Sequence, residues 1–241
     1  AIRKDLTLVP DRPAAASLPL AKKGPPMIAA SIPYLIMAAT LGLALWRDAP
    51  YATIPFLVLM TAWYTTRLVL TSYDAANVRE ERDRGRERLL AGLVGVGMIL
   101  APILVLATPL LDFAAYAALP GQVAVGFALG LLGVYVFWRS HADLGANWSA
   151  HLELQKSQTL ITHGIYARMR HPMYTAIFLI TASQALMLSN WIAGPVGLVT
   201  FTLLYVTRIE AEEKMMRDAF AGAYEEYAAR VPRLLPRLRS G

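Results

Sequence analysis

The sequence contains no cysteine, and charged residues make up only 17% of its 241 positions. Without cysteine, the chain can form no disulfide, thiolate nucleophile or thiolate-ligated metal site. Its low charge sets it apart from soluble domains, in which about 25% of residues are charged. Instead, 56% of the residues are hydrophobic and the mean hydropathy is +0.43. This composition indicates an integral membrane protein.

Two other patterns are missing from the sequence. No two of the four histidines are four residues apart, so the sequence predicts no helical metal site; they are His141, His151, His163 and His171. Residues 1–26 carry five prolines and no apolar stretch ahead of a small-residue cleavage site, unlike a signal peptide. We expect them to form a cytosolic or interfacial arm.

Six apolar stretches are candidates to cross a bilayer core of about 30 Å. They lie at 27–46, 49–70, 89–111, 113–137, 173–189 and 191–207. The last two are short and predict a tight helical hairpin through Asn190, so five and six crossings both fit. The predicted fold class is all-α: a polytopic integral membrane helical bundle of five or six transmembrane helices, followed by a cytoplasmic C-terminal helix.

Lysine and arginine are distributed unevenly around these stretches. With the N-terminus inside, every one except Arg47 and the intramembrane Arg67 falls in a cytosolic segment. The distribution of the net charge of +6 therefore predicts the membrane topology and contact with membrane lipids. We do not expect nucleic-acid binding. We expect a bacterial inner-membrane protein with both termini and the active site on the cytosolic face.

The chain divides into three predicted regions. The arm at 1–26 precedes a transmembrane scaffold at 27–137, and residues 138–241 form a region with a polar loop, the helical hairpin and the C-terminal helix. We predict that this last helix covers 208–230 and ends before Pro232. The alternating charges of 77–88 predict a helical extension of the second span.

A polar window at 160–174 lies between apolar segments. Gly164 is expected to interrupt regular secondary structure there. Pro172 suits the first turn of the following helix, so we expect His171 at a helix N-terminus. Such an end favours an anionic group. Glu210, Glu212 and Glu213 follow the sixth apolar stretch on the same predicted membrane face. We therefore predict that the window and the acidic cluster close over one pocket.

The last hundred residues or so carry a series of short motifs in a characteristic order and spacing: Leu144-Gly145, Asn147-Trp148-Ser149, Leu160-Ile161-Thr162, Gly164, Tyr166, Arg170-His171-Pro172, Tyr174, Arg208, Glu212-Glu213, Phe220, Tyr224, Tyr227, Val231 and Pro232. In these motifs the chain resembles the isoprenylcysteine carboxyl methyltransferase family, which is related to membrane phospholipid methyltransferases. One departure is Ala176, where the family usually has glycine.

The resemblance implies an S-adenosylmethionine-dependent methyltransferase acting on a lipidic molecule or prenylated peptide. It implies that the cofactor is held by Leu160, Ile161, Gly164, Tyr166, Arg170, His171, Pro172, Tyr174, Glu212 and Glu213. It also implies that the acceptor contacts Asn147, Trp148 and Arg208. The catalytic residues would then be Arg208, Glu212 and His171.

Several alternatives stay open on the sequence. A carboxylate acceptor needs no general base, whereas the amine of a phospholipid would first have to lose a proton. The motifs favour the carboxylate because Arg208 can orient it. Two further hypotheses remain. One is a sterol-reductase-like enzyme that uses a nicotinamide cofactor, and the other is a transporter without enzymatic activity. The oligomeric state is also open.

Overall fold

The protein is described by a computed structural model for residues 27–47, 52–70, 78–81, 84–145, 153–155 and 159–236. Within these residues the chain forms seven α-helices and two short strands. The helices are α1 (Met27–Trp46), α2 (Thr53–Leu70), α3 (Arg84–Gly95), α4 (Ala101–Ala107), α5 (Gln122–Leu144), α6 (Pro172–Met187) and α7 (Ala193–Arg230). The strands are β1 (Val78–Glu81) and β2 (Glu153–Gln155). The predicted arm at 1–26 and the predicted substrate residues Asn147 and Trp148 lie outside the described residues.

The helical character of the fold is confirmed, with one correction. The sequence predicts a helix over 77–88, but β1 pairs with β2 in antiparallel fashion, with a register irregularity between Val78 and Glu80. The pair joins the segment after α2 to the segment after α5. Charge spacing along one segment carries no information about such a distant strand partner. The prediction of a helix was therefore wrong at 78–81, whereas 84–88 are helical as the first residues of α3.

The third and fourth predicted spans also differ from the structure. The span at 89–111 is divided, because a π-helical turn at Val96–Leu100 separates α3 from α4. At this turn the carbonyl of Gly97 accepts a hydrogen bond of 2.8 Å from Gln184 Nε2. The next helix begins at Gln122 rather than at 113, since Gly121 has a φ of +78° that a right-handed helix does not allow.

The predicted hairpin through Asn190 is confirmed. Asn190 Oδ1 accepts hydrogen bonds from the backbone N–H groups of Ile192 and Ala193, at 3.0 and 2.9 Å, and so satisfies two free donors near the start of α7. Its Nδ2 donates to the carbonyl of Leu111 at 2.7 Å. Asn190 therefore fixes both the turn and its contact with the segment between α4 and α5.

Glycines allow α5 and α6 to pack closely. A Cβ atom added at Gly126 would lie 2.7 Å from Met187 Cγ, and one added at Gly133 would lie 3.0 Å from the Ala176 carbonyl oxygen. Both distances are shorter than ordinary van der Waals contact. These glycines therefore let the two helices approach closely, which brings the beginning of α6 beside the end of α5.

Helix α7 differs from the prediction because it continues through Arg208 and is kinked further along, at Ala221. The sequence predicts a span that ends at 207 and a separate helix at 208–230, whereas α7 extends from Ala193 to Arg230. Its regular dihedral angles are interrupted at Ala221, where φ is +44°. Because the helix does not break at Arg208, residues 208–213 project from the same rigid rod as the apolar segment before them.

The surface of the bundle is suited to lipid. The stretch Arg88–Ala107 and helix α5 are long and apolar enough to cross a membrane, while Ser31–Trp46 and α6 are apolar but shorter. Large hydrophobic side chains are exposed on several helices, including those of Leu35, Val69, Leu132 and Val199. The fold is a helical membrane fold, and the count of five or six spans stays a prediction.

Candidate active site

The polar window contains a turn that is held in place by Asp143, a residue at the end of α5. A 3-10 helix covers Gly164–Ala167, and the Ile165 N–H donates to Asp143 Oδ2 at 2.8 Å. Gly164 has a φ of +59°, and a Cβ atom there would lie 2.3 Å from that same carboxylate oxygen. Arg139 Nη2 donates to Asp143 Oδ1 at 2.7 Å. The predicted break at Gly164 is therefore confirmed, and both conformation and space require glycine.

Tyr166 connects the window to two helices. Its side chain is buried, and its hydroxyl donates to the Ser140 carbonyl at 3.4 Å. Its own carbonyl oxygen accepts a hydrogen bond of 2.6 Å from the hydroxyl of Tyr227. Burial raises the pKa of both Tyr166 and Tyr227 above the ordinary value, so both hydroxyls stay protonated donors. These bonds hold the window between α5 and α7.

His171 precedes the first residue of α6, as predicted. Pro172 occupies the first turn, where its missing N–H costs no intrahelical hydrogen bond. The backbone N–H groups of Arg170 and His171 donate, each at 2.9 Å, to the carbonyls of Pro232 and Arg233. The beginning of α6 is therefore hydrogen-bonded to the segment that follows α7.

Glu213 lies at the centre of a buried ion network. Its side chain is 0% exposed, and Arg170 donates to its Oε1 through Nε at 3.1 Å and Nη2 at 2.6 Å. Arg233 donates to both oxygens, at 3.1 and 2.8 Å, and Arg217 Nη2 donates to Oε2 at 3.2 Å. Nε2 of His171 lies 3.3 Å from Oε1.

This network determines the charge of Glu213. Burial acts to raise the pKa of its carboxyl, but the hydrogen bonds from His171, Arg233 and Arg170 outweigh burial and hold the pKa well below its usual range. Glu213 is therefore ionised at neutral pH. A buried carboxylate with several cationic donors satisfies the general requirement that a buried charge be paired.

Glu212 is the more accessible of the two carboxylates, with 19% of its side chain exposed. Its Oε1 accepts hydrogen bonds from the Tyr174 hydroxyl at 2.9 Å and from Arg208 Nε at 2.7 Å. Its Oε2 lies 3.7 Å from Nδ1 of His171. Glu212 therefore links Arg208, which the resemblance assigns to binding of the methyl acceptor, with the beginning of α6.

The imidazole of His171 consequently lies between the two glutamates. One ring nitrogen faces Glu213 and the other faces Glu212, which are 42 and 41 positions further along the chain. The sequence predicts that the polar window and the acidic cluster meet, and the structure confirms this contact. Aromatic rings continue from it along α6 and α7: the ring centroid of Tyr174 lies 5.2 Å from that of Tyr205 and 5.9 Å from that of Phe201.

Comparison with known proteins identifies the same part of the chain. The sequence profile of the isoprenylcysteine carboxyl methyltransferase (ICMT) family matches residues 125–218. The family resemblance predicted from the motifs is confirmed.

Curated relatives align with this methyltransferase family segment. A protein-S-isoprenylcysteine O-methyltransferase of Schizosaccharomyces pombe is 31% identical over 113 residues, which cover 45% of this chain and 48% of the relative. The corresponding mouse protein is 35% identical over 115 residues, covering 47% and 41%. A cobalt-zinc-cadmium resistance protein, CzcN, of Cupriavidus metallidurans is 34% identical over 111 residues, covering 46% and 49%. The chain thus spans about half the length of these relatives.

The fold resembles that of the family as well. A solved structure of a eukaryotic intramembrane Ras methyltransferase ICMT superposes with a TM-score of 0.54 and 20% sequence identity. The superposition covers 84% of this chain and 72% of that one. The likeness therefore extends well beyond the segment that the family profile matches, and it establishes the fold.

Six of the thirteen residues that the family resemblance assigned to the site come together in two hydrogen-bonded groups. Arg170 and His171 contact Glu213, while Tyr174 and Arg208 contact Glu212. The two groups meet at His171, whose Nδ1 lies 3.7 Å from Glu212 Oε2. Leu160 packs instead against a cluster that contains Tyr224 and Tyr227, while Ile161 is half-buried in the same segment. Pro172 is buried at the helix start. Asn147 and Trp148 lie outside the described residues, so their role stays a prediction.

Three residues that shape the site were missed on the sequence: Asp143 at the Gly164 turn, and Arg217 and Arg233 in the network around Glu213. Asp143 and Arg217 each had a local signal, since Arg139 precedes Asp143 by four residues and Glu213 precedes Arg217 by four. Arg233 had none, because its partner Glu213 lies 20 residues away on the far side of a helix end.

Proposed function

We propose that this chain is an integral membrane methyltransferase that uses S-adenosylmethionine to methylate the carboxylate of an isoprenylcysteine-like acceptor. The observation that carries the proposal is the meeting of His171 with Glu212 and Glu213 at the end of an apolar helix pair. Relatives named protein-S-isoprenylcysteine O-methyltransferase align with the segment that contains this contact. The name of those relatives supports the reaction type for this chain.

The residues present fit S-adenosylmethionine. That cofactor supplies a methyl group on a sulfonium, which is already activated for displacement. Glu212 offers a partly exposed carboxylate for a ribose diol or an amino group. The ring of Tyr174, beside Tyr205, offers an aromatic face to a cation. The N-terminus of α6 at His171 suits an anionic group.

We propose the following roles for the site residues. Tyr174, His171 and Glu212 contact the cofactor directly, together with the backbone of Leu160, Ile161, Gly164 and Tyr166. Arg170, Pro172 and Glu213 hold those groups in place, because their side chains are buried in the network around the start of α6. This arrangement leaves positioning of the reactants as the protein's main contribution to catalysis, and positioning can contribute several kcal/mol, up to about 10.

Arg208 is proposed to orient the acceptor. Its Nε is fixed by Glu212 at 2.7 Å, which sets the plane of the guanidinium. A guanidinium binds a carboxylate with two parallel hydrogen bonds. An α-carboxyl with a pKa of roughly 3.5 is ionised at neutral pH and needs no general base. Asn147 and Trp148 are proposed to contact the same acceptor.

We also propose that the site faces the cytosol of a bacterium. Arg47, the lone basic residue predicted outside, pairs with Asp112 at 2.8 Å. It lies on the side of the bundle that carries the Asn190 hairpin, because Asp112 belongs to the segment whose Ala114 carbonyl accepts a hydrogen bond from the Trp191 N–H. The arginines around Glu213 lie beyond the other end of the hairpin helices, as the positive-inside rule requires.

The test is a methylation assay with labelled S-adenosylmethionine and the purified full chain. Prenylcysteine analogues and phosphatidylethanolamine are offered side by side. We expect label in a base-labile ester of the prenylcysteine analogue. Label only in the amine of the phospholipid would replace the proposed acceptor by a phospholipid. Calorimetric titration with S-adenosylhomocysteine and with NADPH separates the methyltransferase from a reductase, and binding of NADPH alone would overturn the proposal.

A further inference from the structure

The segment after α7 is attached to the site by an unbroken row of backbone acceptors. We name residues 231–234 the strap. The Val231 carbonyl accepts from Arg170 Nη1, and the Pro232 carbonyl accepts from the Arg170 N–H at 2.9 Å. The next two carbonyls accept from the His171 N–H at 2.9 Å and from Thr175 Oγ1 at 2.7 Å. Four consecutive carbonyls of the strap therefore hold the start of α6.

The side chain of Arg233 fastens the strap on its other side. Its guanidinium donates to both oxygens of Glu213, through Nε at 3.1 Å and Nη2 at 2.8 Å. This two-point geometry is the strong form of a charge-assisted hydrogen bond. Nη2 also lies 2.8 Å from Glu210 Oε1. Arg233 is thus the residue through which the strap reaches the buried carboxylate.

The same carboxylate contacts the imidazole of the site. Oε1 of Glu213 lies 3.1 Å from Arg233 Nε and 3.3 Å from His171 Nε2. The backbone of His171 is bonded to the carbonyl of Arg233 as well. Arg233 and His171 are therefore linked twice, once through the backbone and once through Glu213. Movement of the strap would release the ring that faces Glu212.

We propose that Arg233 is a positioning residue of the methyl-donor site, acting on His171 and Arg170 through Glu213 and the strap. This inference rests on the proposed function, because its consequence is measured on cofactor binding. It concerns a residue beyond the family segment, which ends at 218. The side chain of Arg233 is 38% exposed and bonds to the carboxylates of Glu210 and Glu213.

The test compares Arg233→Ala with Arg233→Lys and with Arg230→Ala in the full chain in nanodiscs. Arg230 is a matched control: it is exposed in the last turn of α7 and donates from Nε to the Glu226 carbonyl at 3.3 Å, away from the site. Hydrogen exchange is measured at the amides of Arg170 and His171 without any ligand. Affinity for S-adenosylhomocysteine and the KM values for cofactor and acceptor are measured alongside.

We expect Arg233→Ala to exchange at least tenfold faster at those two amides and to bind S-adenosylhomocysteine about tenfold more weakly, which is 1.4 kcal/mol. The KM for the cofactor should rise by a similar factor, while the KM for the acceptor stays within twofold. Arg233→Lys should recover part of both losses because it retains the charge without the two-point geometry. Arg230→Ala should match the unmodified chain.

The outcomes separate this inference from the proposed function. If the unmodified chain does not bind S-adenosylhomocysteine, the proposed function fails, and accelerated exchange in Arg233→Ala still demonstrates the strap. If exchange accelerates while affinity and the cofactor KM are unchanged, Arg233 holds the strap but does not position the site, and the inference is overturned. Unchanged exchange in Arg233→Ala overturns it as well.

Discussion

The length of helix α6 and its beginning are held in opposite ways. Along its length, α6 contacts α5 where Gly126 and Gly133 leave no room for a side chain. At its first residues, α6 is held by charge-assisted bonds that converge on Glu213. The apolar contact brings backbones together by removing atoms, whereas the polar contact adds long side chains from distant segments. Helix α6 can therefore pack closely against an apolar helix along its length and still position the polar groups of the site at its beginning.

The two kinds of contact also differ in what they fix, which is either the distance between helices or the orientation of single side chains. Close packing of small residues fixes the distance between two helices but offers no group for chemistry. A buried network fixes the orientation of single side chains, since each donor and acceptor has a required direction. His171 gains a defined position between Glu212 and Glu213 in this way. Four predictions test contacts of these two kinds, polar networks and close packing at glycine.

The largest effect is expected from Glu213→Ala. The substitution leaves Arg170, whose side chain is 9% exposed, without its buried counter-charge. Removing one partner of a buried ion pair costs about 3–5 kcal/mol. Thermal unfolding in detergent should then shift downward by roughly 6 °C or more. Glu225→Ala, an exposed position on the same helix, is the control and should leave the unfolding temperature unchanged. Equal shifts for both variants would refute the network's importance.

Arg208→Ala should mainly affect turnover. If Arg208 orients the acceptor, kcat should fall about 10²-fold, which is the size of effect that misplacing a reactant produces. Affinity for S-adenosylhomocysteine should change far less, because Glu212 keeps its hydrogen bond from Tyr174 at 2.9 Å. Arg208→Lys serves as the conservative variant and should retain part of the rate. A full rate in Arg208→Ala would remove this residue from the proposed mechanism.

Gly97→Ala tests another close contact at a glycine, between the π-helical turn at Val96–Leu100 and α7. A Cβ atom there would lie 2.4 Å from Thr200 Oγ1 and 2.9 Å from the Val196 carbonyl oxygen, which belongs to the backbone and cannot move aside easily. Overpacking of this kind costs about 1–3 kcal/mol. Gly92→Ala is the matched control, since nothing lies within 4 Å of its added Cβ. That variant should be neutral or stabilise α3 by up to about 1 kcal/mol.

A smaller effect is expected from pH. The folded-state pKa of Glu213 is lowered from its ordinary value of 4.5, because hydrogen bonds from His171, Arg233 and Arg170 outweigh the effect of burial. Its contribution to stability is therefore complete above pH 4.5 and declines as the pH falls toward the folded-state pKa. The unfolding temperatures of the unmodified chain and of Glu213→Gln should differ most at neutral pH and converge below about pH 4.5. A constant difference across that range would contradict the assigned charge state.

The sequence predicted the local features of the molecule and missed those that depend on contacts between distant segments. Hydropathy located most helices, and the motif order brought His171 together with Glu212 and Glu213, because those signals are local or repeat along one segment. The π-helical turn at Val96–Leu100 and the pairing of β1 with β2 were not predictable in this way, because they depend on contacts between distant parts of the chain. Arg233 was missed for the same reason: its role exists only when the strap that follows α7 lies against the start of α6.

The account is tested most directly by an experimental structure of the full chain with S-adenosylhomocysteine bound. We predict that the nucleoside lies against Tyr174 and Glu212, at the start of α6, with Arg208 close to its sulfur atom. Glu213 should remain buried beneath it, bonded to Arg170 and Arg233. A nucleoside bound at the opposite end of the bundle, beside Arg47 and Asp112, would contradict the account.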